Sequence, residues 1–343
     1  MIGDRVRHAR LYYGWTQEQL ASLVGVSQSA IHQIEVKGQI SEETLASVAK
    51  ATGFASWWFE LGALPDLPEG TLRYRKYASA PKRDDDRVRA YARHTVEAVE
   101  RLSRHADLPP LRMSAVARDE NIDMDRIETV AIEVRDWLGV GVKDPIPNLV
   151  RAVERSGVLV LGIAFELAKH DAVSFWSDFP NGRPFVFFSR GYVGDRQRFS
   201  IAHEIGHLVL HQLRNVDNKT AEDEANAFAG ALLMPRSAAR EEIDEPVTLH
   251  GLAYVKAKWG ISIRALIRRS LDVGLISPTR RQSLEKQYTT RKWRADGEPV
   301  EVREEQPVLV SRLVDVTVGR GTSPTALSKI VGLPTMSSRE LVA

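Results

Sequence analysis

Two histidines four residues apart, His203 and His207, bracket Glu204 inside an otherwise apolar run from Ile201 to Leu210. That spacing constrains the chain more than any other feature, because it brings the two rings together only on a helix, where residues four apart share a face. There both imidazoles can meet at one metal ion. Glu204 projects beside such an ion without ligating it. It can take a proton from a water whose acidity the metal raises and pass that proton to a leaving amine. This is the HExxH pattern, in which the histidines hold zinc and the glutamate is the general base. Ile205, Leu208 and Leu210 embed the turn in a core, and Gly206 leaves room beside the ligands. Two histidines also fall four apart on plain helices, so a third ligand decides the matter.

His211 continues the series, but eight residues of continuous helix rise about 12 Å. Ligands of one zinc must each approach to about 2.1 Å. Leu208-Val209-Leu210 contains no glycine to break the helix, so His211 reads as a helix-end residue or one that supports a ligand. The segment Glu222-Asp223-Glu224-Ala225-Asn226-Ala227-Phe228-Ala229 is a better source. At about 100° per residue, Ala225, Phe228, Ala229, Leu232 and Leu233 define a buried stripe. Glu222 and Asn226 lie at one edge of it and Glu224 at the other, farther away. Geometry favours Glu222 over Glu224 as the third ligand; a solvated acidic helix start explains the same cluster through the helix dipole.

The chain has no cysteine, so a metal has to be held by His, Asp and Glu, and disulfides are excluded. Its 343 residues suggest two or three domains, and 43% hydrophobic with 27% charged residues is ordinary for a globular protein. No apolar run approaches the roughly 20 residues of a membrane span, and no signal-peptide pattern opens the chain. A cytoplasmic protein without a membrane partner is expected. A net charge of +2 says little about partners.

Periodicity predicts an α+β fold, mainly α, with a small sheet. Residues 1–64 read as a helix-turn-helix bundle, with Thr16 and Gln19 forming a capping box and Ser27 and Ser41 as further N-caps. Residues 65–123 read as a linker, marked by Pro65, Pro68 and Gly70, and a polar, arginine-rich helix over 83–106 with little apolar patterning. Residues 124–238 read as the metal-site domain. Its helices fall near 124–138, 147–156, 199–211 and 221–233. Its strands fall at Val158–Leu161 and at Phe185–Phe188, the second following the turn signal Pro180-Asn181-Gly182. Residues 239–290 read as a helical, helix-turn-helix-like region, in which Arg264, Arg268 and Arg269 form a basic face, solvated or touching DNA. Residues 291–343 form a mixed tail of unassigned role, with a strand at Val308-Leu309-Val310 and a helix over 323–331.

The run Arg196-Gln197-Arg198-Phe199-Ser200-Ile201-Ala202-His203-Glu204-Ile205-Gly206-His207-Leu208-Val209-Leu210-His211, followed by Glu222-x-x-Ala225-Asn226-x-Phe228-Ala229 and Leu232-Leu233-Met234-Pro235, resembles the ImmA/IrrE metallopeptidases. The resemblance covers about residues 145–275. It implies a gluzincin-like site with His203, His207 and Glu222 as zinc ligands and Glu204 as general base. It also implies a substrate that is itself a helix-turn-helix repressor, whose cleavage switches on mobile-element or stress-response genes.

Residues Gly14-Trp15-Thr16-Gln17-Glu18-Gln19-Leu20-Ala21 and Val26-Ser27-Gln28-Ser29-Ala30-Ile31-His32-Gln33-Ile34-Glu35 resemble the XRE/Cro-type DNA-binding family. In that arrangement the third helix enters the major groove. Gln28, Ser29 and His32 would then face base edges, while Gln17 and Lys37 would reach phosphates. Arg5, Arg7 and Arg10 would add nonspecific attraction. Such readers often act as homodimers, though no heptad pattern establishes one here. Two functions follow as expectations: a DNA-tethered zinc endopeptidase that regulates transcription, or a non-proteolytic regulator whose metal site is structural or a sensor.

Overall fold

Short hydroxyl side chains set the helix starts of the N-terminal bundle. A computed structural model describes residues 2–67, 82–116, 122–163, 171–178 and 182–335, with 338 and 341. The linker signals Pro68 and Gly70 and the turn signal Pro180-Asn181 lie outside the described residues. The bundle comprises α1 (Ile2–Tyr12), α2 (Gln17–Val24), α3 (Gln28–Lys37), α4 (Glu42–Thr52) and α5 (Ser56–Phe59). Thr16 caps α2 in a complete capping box with Gln19, and Ser27 and Ser41 cap α3 and α4. Each cap satisfies donors that a bare helix end leaves unpaired.

The chain continues through α6 (Lys82–Ser103), α7 (Met124–Trp137) and α8 (Leu149–Arg155) into a three-stranded sheet. Its strands are β1 (Leu159–Ile163), β2 (Ala172–Trp176) and β3 (Pro184–Ser189), ordered β1-β3-β2. β1 runs parallel to β3 and β2 antiparallel to it. Then follow α9 (Gly194–Leu210), α10 (Asn218–Leu233), α11 (Arg236–Glu242), α12 (Leu249–Trp259), α13 (Ile263–Asp272), α14 (Pro278–Thr290), α15 (Trp293–Asp296), α16 (Leu309–Thr317) and α17 (Pro324–Val331). The protein is mainly α with one small sheet. No helix among the described residues is long and apolar enough to cross a membrane.

Both faces of the sheet are buried, which is why its strands read as near-continuous apolar runs. Successive side chains point to opposite faces. Val160, Ala172, Val186 and Phe188 join a core with α7 to α14. Leu159, Leu161, Val173, Phe175, Phe185 and Phe187 join a second core with α1 to α6, α16 and α17. The sheet is thus a wall between the N-terminal bundle and the helices that carry His203 and His207.

Three sequence readings change. The helix read as polar over 83–106 is α6, buried nearly all round from Ala90 to Val99. Its Glu97 accepts a forked pair of bonds from Arg5 at 2.7 and 3.2 Å and a third from Trp58 Nε1 at 2.8 Å. Arg5 is therefore a buried tie between bundle and α6, and Arg10 is paired with Glu35 at 2.6 Å. Of the three arginines expected to attract DNA, only Arg7 is exposed. Arg269 is likewise not part of a basic face: it is buried, pairs with Glu128 and donates to the Met234 carbonyl.

The third change concerns the tail. Val308-Leu309-Val310 starts a helix, because Val310, Leu313 and Val314 recur at helical spacing, a period that three residues alone do not reveal. This tail is tied down by reciprocal capping. Glu305 accepts from Val150 N–H at the start of α8 and pairs with Arg198. Glu154, near the end of α8, accepts from Val308 and Leu309 N–H at the start of α16. Negative charge suits both helix N-termini.

Burial pushes the Glu154 carboxyl up to about 7, against the two backbone N–H groups that hold it down. The folded chain therefore keeps this proton at pH values where the unfolded chain has lost it. Its stabilisation is complete below the ordinary carboxyl value and is lost as pH rises towards 7. Relative to Glu154→Gln, which does not titrate, the native chain should lose up to about 1.4 kcal/mol per pH unit over that window. Urea denaturation of both proteins at pH 5 and pH 7 measures this; parallel pH dependences would refute it.

Candidate metal centre

His203 and His207 sit one turn apart on α9, and Glu222 reaches them from α10. Their ligand atoms all lie within 4.8 Å of one another. The two Nε2 atoms are 3.0 Å apart, and Glu222 spans them, Oε2 at 3.7 Å from His203 Nε2 and Oε1 at 3.5 Å from His207 Nε2. Two imidazole nitrogens and a carboxylate converging on one point are the donor set of a three-ligand zinc site, which leaves a fourth position open. His211 does not join them. It ends α9 as its C-cap, fully buried, with its Nδ1 3.0 Å from His207 Nδ1.

The convergence depends on how closely α9 and α10 approach. A Cβ on Gly206 would lie 3.0 Å from Phe228 Cδ1 and 3.2 Å from Ala225 Cα. The room that Gly206 leaves is therefore taken by α10 rather than by the ligands. Ala221, Ala225 and Phe228 form the buried seam, which brings the helix edge carrying Glu222 up to the histidines. Four residues along that edge, Asn226 places Oδ1 3.2 Å from His203 Nδ1. Each histidine is thus held through Nδ1, leaving Nε2 towards Glu222.

Glu204 is buried, and burial raises its pKa against the opposing pull of His207 and Ser174. Ser174 Oγ donates to its Oε2 at 2.6 Å, fixing the carboxyl rotamer. Ser174 belongs to β2, a strand the sequence reading did not find. Its alternation is the missed signal: Val173 and Phe175 face the second core, so Ser174 must face α9. Glu224, set aside as the less suitable ligand, faces away from the three donors and meets His211 and Arg214.

The DNA-facing candidates lie elsewhere. Gln28, Ser29 and His32 are exposed on one face of α3, and Lys37 is exposed at its end. Gln17, at the start of α2, is half-buried and donates to Glu35 at 2.8 Å.

A helix pair presenting two histidines and a glutamate beside a buried glutamate, built on a small sheet, defines the architecture of a metallopeptidase-type domain. Residues 153–271 match the model of the peptidase M78 family, the IrrE N-terminal-like domain. Residues 6–55 match a helix-turn-helix model. The chain therefore joins a helix-turn-helix domain to an IrrE N-terminal-like domain. No curated protein matches it.

Replacing Gly206 by Ala should force the two helices apart, because the first atoms met are the backbone of α10 and a fully buried ring. The expected cost is about 1–3 kcal/mol in urea denaturation. A variant with native stability would show that the seam has slack.

Proposed function

We propose that this protein is a DNA-binding transcription regulator whose second domain is a zinc-dependent endopeptidase. On this reading His203, His207 and Glu222 hold the metal and Glu204 is the general base. The observation that carries it is the buried Glu204 carboxyl, fixed by Ser174 beside a donor set of two histidines and a glutamate. When bound, zinc acidifies water and polarises a carbonyl. Glu204 would take the proton of the attacking water and return it to the amine nitrogen as the peptide bond breaks. The Ser174 hydroxyl keeps the carboxyl aimed without adding charge.

The substrate we propose is a helix-turn-helix repressor, whose cleavage would switch on stress-response or mobile-element genes in the cytoplasm. The fused reader supports this choice, because it would bring the peptidase to the DNA its substrate occupies.

Glu204→Gln should retain about one zinc per chain and lose cleavage of helix-turn-helix repressors offered as substrates; a chelator-treated native chain should lose both the zinc and the cleavage. A reporter that responds equally to native protein and Glu204→Gln would sink the proteolytic reading and assign the metal site to sensing.

For the reader, Gln28, Ser29 and His32 would read base edges, with Lys37 and Gln17 on phosphates. Against a DNA site selected from a random pool, Gln28→Ala and His32→Ala should each lower discrimination by about 1–3 kcal/mol. Lys37→Ala should weaken all sequences alike and reduce the salt slope by about 1. Fluorescence anisotropy at several salt concentrations separates these; unchanged binding in all three variants would remove α3 from the interface.

A further inference from the structure

Behind His207, on the side away from Glu222, three buried polar residues form a chain that the peptidase reading does not use. His211 Nδ1 lies 3.0 Å from His207 Nδ1, and His211 Nε2 lies 3.0 Å from Glu224 Oε2. Arg214 closes the chain with Nη1 donating to Glu224 Oε2 at 2.7 Å and Nη2 to Oε1 at 3.2 Å. All three are buried, His211 completely. His203 has a different support, the neutral amide of Asn226.

Proton bookkeeping gives this chain a direction. A ring nitrogen that holds a metal carries no proton, so His207, neutral, has its proton on Nδ1 and donates it to His211 Nδ1. His211, accepting there, carries its own proton on Nε2 and donates to Glu224. The Glu224 carboxylate accepts from His211, and the two-pronged arginine holds it in plane. Each bond fixes the tautomer of the next ring.

We propose that His211, Glu224 and Arg214 are positioning residues that lock the tautomer and ring plane of His207 and thereby set the affinity of the centre for zinc. The inference rests on the reading of His203, His207 and Glu222 as the metal-holding set. A partner on the far nitrogen orients a ligating imidazole and raises its basicity. Here the partner is a second imidazole, which carries the influence of a buried ion pair across two rings. Arg214 and Glu224 also pin the end of α9 to α10: Arg214 donates to the Leu210 carbonyl at 3.3 Å, so the same residues that tune the ligand fix the helix end bearing it.

The test uses the full chain. Zinc affinity is measured by chelator competition for native protein, Glu224→Gln, His211→Ala and the double variant Glu224→Gln/Arg214→Gln. Thermal unfolding of each metal-free protein is followed in parallel. Glu224→Gln keeps the shape and an acceptor but removes the charge, and the double variant removes the arginine that would otherwise be stranded. The expected result is a loss of about 10–100-fold in zinc affinity for each, exceeding any change in metal-free stability. Imidazole ¹⁵N resonances of the zinc-loaded native chain should show His207 protonated at Nδ1 and His211 at Nε2. Native affinity in the folded variants, or a His211 protonated at Nδ1, would overturn the proposal. A native chain that binds no zinc would instead overturn the metal-centre reading on which it rests.

Discussion

The approach of α9 and α10 at Gly206 governs what the rest of the domain can do. Two helices whose facing residues are Gly206 on one side and Ala221, Ala225 and Phe228 on the other come close enough for both edges of α10 to reach α9. One edge delivers Glu222 and Asn226 to His203 and His207. The other delivers Glu224 to His211 and Arg214. Glu222 and Glu224 are only two residues apart, so a helix sets them on nearly opposite sides. Both reach α9 because the seam between them is narrow. Interiors are close-packed, and a methyl group added at the centre of such a seam has no void to enter.

The sheet performs a second kind of joining. Its period of two sends Ser174 to Glu204 and its neighbours Val173 and Phe175 to the core that holds the reader. Helix α6 fills the space between, with Glu97 gathering Arg5 and Trp58 from the bundle. The tail adds α16 and α17 to the same core, and the Ala55 N–H donates to the Gly332 carbonyl just after α17. The reader and the metal centre are consequently separated by one continuous packed layer. Removing one partner from a buried pair such as Arg5–Glu97 leaves a stranded charge, which typically costs several kcal/mol.

What was legible in the sequence was mostly local. Thr16, Ser27 and Ser41 cap helices through hydrogen bonds spanning three residues, and such short-range chemistry is written in adjacent letters. His203, Glu204 and His207 were legible for the same reason, and Glu222 was favoured because a helix has a fixed period. The parts that were not legible depend on partners far along the chain. Whether Arg5, Arg10 and Arg269 are surface charges or buried ties is decided by Glu97, Glu35 and Glu128. The character of α6 was hidden by arginines whose stems and heads find buried carbonyls, as Arg93 does at Leu64 and Pro65. Ser174 was missed because its strand is an apolar run of five broken by one serine, and which face that serine takes is settled only by the cores on either side of the sheet.

The buried acids sort by what faces them. Glu97 is met by Arg5, Glu224 by Arg214, Glu305 by Arg198, Glu128 by Arg269, and Asp195 and Glu298 share Lys256. Each such pair offsets the desolvation of its carboxylate, as buried charge requires. Glu204 is buried among them, yet among the described residues no arginine or lysine pairs with it; its donor is a serine hydroxyl. A carboxyl that has to take a proton and return it is better oriented by a hydroxyl than by a lysine or arginine locked in a direct pair, which would hold it ionised. Among the described residues Glu154 is a second buried acid without such a pair, held instead by the Val308 and Leu309 N–H groups at a helix start; Glu204 differs in lying beside the two histidines and Glu222, where proton transfer would need it.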